Sequence, residues 1–233
     1  MELALAQPRL VALLAALSAF GWAASMLVMP HAHCQLPAGA RPVEGAGLPL
    51  LFVMWSTMMV GMMVPPEAKA LLRLSQARRS LAPAGAFLAG FLLPWMIYSL
   101  AAAALQTRLQ AAGLMDHEMA TTSGALAGAL LLAAGALQLS PIKRACLDRC
   151  RAPPGGEHPF ALGLRASALS IGSCGLLMLV LFATGVMSVP AMALLTLLLL
   201  VEHWLPRGSL LTPASGLLLL AAGVWKVLPL ENF

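Results

Sequence analysis

Long apolar runs, each closed by a short polar or proline-bearing break, make up most of the chain. They fall at about Leu10 to Met29, Gly47 to Val64, Pro83 to Leu105, Thr121 to Leu139, Gly163 to Thr184, Pro190 to His203 and Leu210 to Val227. Most approach the roughly 20 residues that a helix needs to cross a bilayer. The strands of a membrane barrel would alternate apolar and polar positions, whereas these runs are continuous and rich in Leu and Ala. The pattern predicts an all-α fold: a polytopic transmembrane helix bundle of about seven spans, forming a single domain over residues 1–233. Pro65 and Pro66 are expected to end the second helix, because proline lacks the N–H donor and clashes with the preceding turn. The sixth run is short, and its ends reach the interface with help from Glu202, His203 and Trp204.

Composition supports this picture. Hydrophobic residues are 60% of the chain and charged residues 10%, with a mean hydropathy of +0.86, against about 25% charged in a soluble domain. The first run has only Arg9 as a basic residue before it and has the look of a signal peptide. It is followed by Pro30-His31-Ala32-His33-Cys34 rather than a small-x-small cleavage site, so it is read as a retained helix, with six spans if it is removed. With the N-terminus inside, one side collects Arg9, Lys69, Arg73, Arg78, Arg79, Lys143, Arg144, Arg149, Arg151, Arg165 and Arg207, and the other holds only Arg41, Arg108 and Lys226. That bias predicts N-in and C-out in an inner (cytoplasmic) membrane. The formal charge of +5 is then a property of inner loops and not a sign of nucleic-acid binding. Trp22, Trp95, Trp204 and Trp225 suit an aromatic belt, and four cysteines in a chain this long form no disulfide framework.

The chemistry concentrates in the second run. Five of the ten residues from Met54 to Met63 are methionine. On a helical wheel Met54, Met58 and Met62 form one row, Met59 and Met63 a second beside it, with Ser56, Thr57, Val60 and Gly61 on the other side. Such a face is either pliable packing or a set of thioether ligands for a soft ion such as Cu(I). A second candidate is Cys146 with Cys150, one helical turn apart if the helix continues past Pro141, among Lys and Arg that favour thiolate. These thiols can share a soft ion or be incidental. Cys174 lies near the middle of the fifth run.

On the expected outer side, His31 and His33 follow the first helix, and His117 sits in Met115-Asp116-His117-Glu118-Met119. Imidazole with thioether and carboxylate suits copper, although loop histidines are commonly just solvated. Glu202 is an acid at a membrane boundary, a functional position by default or one that simply reaches water. The chain has no glycine-rich phosphate loop, no H-E-x-x-H helix and no G-x-S-x-G elbow.

These segments together resemble a bacterial family of predicted metal-binding integral membrane proteins, the domain of unknown function 2182 family. The run from Met54 to Pro65 is similar to its W-x-x-M-x-x-A-M-M-x-P signature, with Gly61 in place of the alanine. Gly135, Gln138, Pro141, Lys143, Cys146, Leu147, Cys150, Arg151 and Pro153 match its G-x-x-Q-x-x-P-x-K-x-x-C-L-x-x-C-R-x-P run. Gly172, Cys174, Leu177, Met178, Gly185, Val186, Met187 and Glu202 resemble its later helices. Where that family often carries a C-x-G-C-C-W run, this chain keeps only Cys174.

The resemblance implies metal handling. The leading expectation is a bacterial membrane protein that captures, transfers or delivers a soft metal, copper first and zinc as the alternative. Its expected partners are the lipid bilayer and a periplasmic or membrane metalloprotein. Two other readings stand beside it: a non-catalytic scaffold whose Met face packs on a partner helix, and a metal-dependent membrane enzyme, for which no general base is placed.

Overall fold

A computed structural model describes residues 7–33, 47–78, 80–116, 118–150, 158–186, 188–204 and 210–228, the side chains of 29–33 and 150 excepted. Among the described residues the fold is helical: α1 (Pro8–His33), α2 (Gly47–Arg78), α3 (Ala82–Ala111), α4 (Gly124–Leu139), α5 (Pro141–Cys150), α6 (Pro159–Leu179), α7 (Leu181–Thr184), α8 (Val189–Trp204) and α9 (Leu211–Val227). Extended pairing is limited to a bridge between Met115 and Thr121. Proline marks the starts. Pro8, Pro49, Pro83, Pro141, Pro159, Pro190 and Pro213 each lie within the first three positions of a helix, where the backbone N–H has no intrahelical acceptor to lose.

By length and composition, α1, α2, α3 and the stretch from Pro159 to Thr184 can each cross a membrane. The pair α4 and α5 is bent by 62° and brings the number to five if it counts as one span, while α8 and α9 are shorter apolar helices. The bend follows from the chain at Ser140-Pro141. Proline pushes the residue before it out of the helical region, and Ser140 has ψ 143°. Its N–H closes α4 onto the Leu137 carbonyl at 3.0 Å, and its Oγ accepts from the Ile142 N–H at 3.0 Å to open α5.

Helix α2 does not stop at Pro65-Pro66 as expected but continues to Arg78. Pro65 has no N–H to give the carbonyl of Gly61, four residues back. Ser18 on α1 donates its hydroxyl to that carbonyl at 2.8 Å instead. A neighbouring helix has replaced the donor that proline removed.

The contacts group the chain into two compact units, Met1–Arg108 with Arg151–Ala168, and Leu109–Cys150 with Leu169–Phe233. In the first, α1 and α2 meet through Gly21 and Gly61. A Cβ on Gly21 would lie 2.6 Å from the Gly61 nitrogen, so the two backbones touch there. In the second, α4 and α9 approach through Gly128 and Gly135 facing Gly223 and Gly216. A Cβ on Gly135 would lie 2.9 Å from the Gly216 carbonyl oxygen. Small residues on one face allow this close helix crossing.

Candidate metal centre

Helix α2 presents its methionines as the wheel reading expects. The small face, with Thr57 and Gly61, turns toward α1: the Ser25 hydroxyl lies 3.2 Å from that of Thr57, and Gly61 meets Trp22 and Gly21. The sulfur-bearing face is enclosed. Met54, Met59 and Met62 are 0% exposed, and Met58 and Met63 no more than 2%. Trp55 lies among them, fully buried, and donates its indole N–H to Gln106 Oε1 on α3 at 2.6 Å. Methionine is the residue able to fill such a space while keeping a polarizable, neutral lone-pair donor. At 1.5 Å of rise per residue, members of a row sit about 6 Å apart along the axis.

The second unit holds a polar cluster that the sequence reading did not assemble. Glu202, read from the sequence as a functional acid at a membrane boundary or as one that reaches water, is 1% exposed and forms an ion pair with Lys143 at 2.7 Å. Gln138 donates its amide to Glu202 Oε1 at 2.9 Å and to Ser215 Oγ at 2.8 Å, and its carbonyl oxygen accepts from Lys143. Lys143 is therefore no inner-surface charge. It is 0% exposed and joins α5 to α8 across the bend. The signal available in the sequence was three polar residues, Gln138, Lys143 and Glu202, at the ends of apolar runs, and burying them is costly unless they satisfy each other.

The thiols lie in the same unit. Cys146 is half-buried on α5, and its sulfur lies beside Gly172 of α6, 3.5 Å from where a Cβ would stand. Cys174, two residues along α6, is buried and donates to the Ser170 carbonyl at 2.8 Å. Both are free. The spacing of Cys146 and Cys150 on one helix is realised, since α5 runs to Cys150, whose side chain lies outside the description. Trp95, expected in an interfacial belt, is instead fully buried within α3, edge-on to Tyr98 at 5.3 Å.

Of the histidines named from sequence, His31 and His33 end α1 with side chains outside the description, and His117 lies outside the described residues. Beside it, Asp116 Oδ1 accepts from the Ala120 N–H at 2.8 Å. Thr121 donates its N–H to the Phe182 carbonyl at 2.7 Å. Among the described residues no three of His, Cys, Asp and Glu come together as a ligand group. The zinc alternative, which draws on four such ligands, finds no set there. The donors gathered most densely on one element are the thioethers of α2.

Residues 52–226 match the model of a family described as PpoB2, copper chaperone. The chain belongs to that family. The match begins just before the methionine rows and ends one residue short of the end of α9, so it includes most of α2, Cys146, Cys174 and the Lys143–Glu202 pair. It agrees with the metal handling that the sequence motifs implied, and it names copper as the metal. No curated protein and no solved structure matches the chain.

Proposed function

We propose that this protein is a membrane-embedded copper chaperone that takes up Cu(I) on the buried thioethers of α2 and hands it to a periplasmic or membrane metalloprotein. The observation that carries the reading is the enclosure of Met54, Met58, Met59, Met62 and Met63 on one helix of a copper-chaperone family member. Thioether sulfur is soft and neutral and selects Cu(I) over harder divalent ions. Rows with about one turn between donors give an ion successive places of similar affinity, which suits passing it on. Cys146 and Cys150 are the proposed ligands at the inner end of the path, with Cys174 as a buried reserve thiol, and His31, His33 and His117 those at the outer end, where a periplasmic recipient is met. Glu202 is left out, because Lys143 and Gln138 already hold its carboxylate.

Membrane placement is supported by exposed apolar side chains on span-length or apolar helices. Phe20 and Leu27 of α1, Ile97 of α3, Leu194 of α8 and Leu218 of α9 are each at least 65% exposed, a surface that fits lipid rather than water. The reading includes seven crossings of the inner membrane, N-terminus inside, counting α4 with α5 as one span and α8 and α9 as full spans.

The test replaces Met58 and Met62 by Leu together and measures Cu(I) affinity on purified protein by competition with a chromophoric chelator. A ligand role predicts a fall of about tenfold or more, the equivalent of one lost contact worth about 1.4 kcal/mol. If the face only packs against a partner helix, as in a scaffold subunit, Leu fills nearly the same volume. Affinity and thermal stability then stay at the wild-type level, and the proposal fails.

A further inference from the structure

The methionine row on α2 has a continuation. One turn beyond Met63, past both prolines, the next position of the row Met59, Met63 is Glu67. It is 4% exposed, its Oε1 accepts no hydrogen bond from a described residue, and it joins no ion pair with one. A buried carboxylate oxygen without a donor is expensive to keep. The thioether site has the opposite deficit. Methionine sulfur is neutral, so Cu(I) held by it alone keeps a full positive charge in apolar surroundings, which is also costly. Each deficit is the remedy for the other.

We propose that Glu67 is the anionic member of a Cu(I) site, giving one carboxylate oxygen beside the sulfurs of Met59 and Met63. The inference rests on the thioether reading of α2 and goes beyond it by fixing the charge and the class of cargo. One carboxylate with two neutral thioethers makes a complex with a monovalent ion that has no net charge. A divalent ion in the same place would remain positive. Soft monovalent ions, Cu(I) and Ag(I), are therefore favoured over Zn(II) by charge as well as by donor type. The placement also gives the prolines a consequence. By keeping α2 helical through Pro65-Pro66, Ser18 keeps Glu67 in line with Met59 and Met63; had α2 ended there, the carboxylate would leave the row.

The test uses the full chain in mild detergent, with Cu(I) under reducing conditions against a chromophoric chelator and Ag(I) by calorimetry. Glu67→Gln keeps the shape and removes the charge, and is expected to weaken both ions by about 10- to 100-fold, as a lost charge partner at contact range does. Glu67→Asp keeps the charge and is expected to retain most of the affinity. Met59→Leu with Met63→Leu separates the two levels of the argument. If that double variant binds as wild type does, the thioether reading of this row falls and the inference with it. If it loses affinity while Glu67→Gln does not, the inference alone is overturned. Should Glu67→Gln not fold, X-ray absorption of Cu(I) on the wild-type protein decides. An oxygen in the shell beside two sulfurs supports the proposal, and a sulfur-only shell overturns it.

Discussion

At the scale of single residues, the clearest consequence of the fold concerns Lys143 and Glu202. Both are enclosed, so neither charge has water to fall back on. Removing one partner leaves the other buried and uncompensated, at a cost of about 3–5 kcal/mol. Lys143→Met or Glu202→Leu is thus expected to lower the melting temperature of the purified protein sharply, as followed by loss of helical circular dichroism. The double variant Lys143→Met with Glu202→Leu removes both charges and should recover much of that loss, because a well-packed apolar pair is often as stable as the ion pair it replaces. A double variant as unstable as the sum of the singles would show that the two charges do not support one another. The pair escaped the sequence reading for a physical reason. A lysine near Arg144 and Arg149 looks like one more inner-surface cation, and its acid stands 59 positions away. Only the bend at Ser140-Pro141, which starts a new helix and turns Lys143 inward, brings them together.

The elements themselves were legible to very different degrees. Continuous apolar runs located the long helices to within a few residues, since that signal is local. The length of α2 was not legible, because the group that rescues it is not local: Ser18 lies 43 residues before the carbonyl it serves. That dependence predicts a specific coupling. Ser18→Ala leaves the buried Gly61 carbonyl without a donor and is expected to cost about 1–3 kcal/mol. In the Pro65→Ala background the backbone N–H is restored, so the same serine change should cost much less. A thermal-unfolding double-mutant cycle reads the difference directly, and purely additive effects would refute the compensation. The methionine face of the same helix was legible as a pattern, because helical spacing alone sorts Met54, Met58, Met59, Met62 and Met63 from Thr57 and Gly61. Its neighbour Glu67 was not, because expecting the helix to end at Pro65 put that residue in an inner loop.

For the molecule as a whole, hydropathy and helix length give different numbers of crossings. Four helices are long enough outright and a bent pair makes a fifth, whereas the hydropathy breaks give seven. The difference lies in α8 and α9, of 16 and 17 residues, just short of what about 30 Å of hydrocarbon requires at 1.5 Å per residue. A short apolar helix meets that mismatch by thinning the bilayer locally or by anchoring its ends at the interface. Trp204 and Trp225, both exposed near the ends of α8 and α9, are placed to do so. If both helices cross, the count is odd and the two termini lie on opposite sides. On the proposed reading the surplus of Lys and Arg would set the N-terminus inside, even with Lys143 removed from the count. Fusions to the C-terminus test this: an alkaline phosphatase reporter should be active there and a fluorescent protein that matures only in the cytoplasm should be dark. The reverse pair of results would place the C-terminus inside and imply either an even number of crossings, with α2 running as proposed, or an inverted chain, in which α2 runs the other way. Only the inverted chain would exchange the sides on which copper enters and leaves, putting Cys146 and Cys150 at the outer end of the path instead of the inner one.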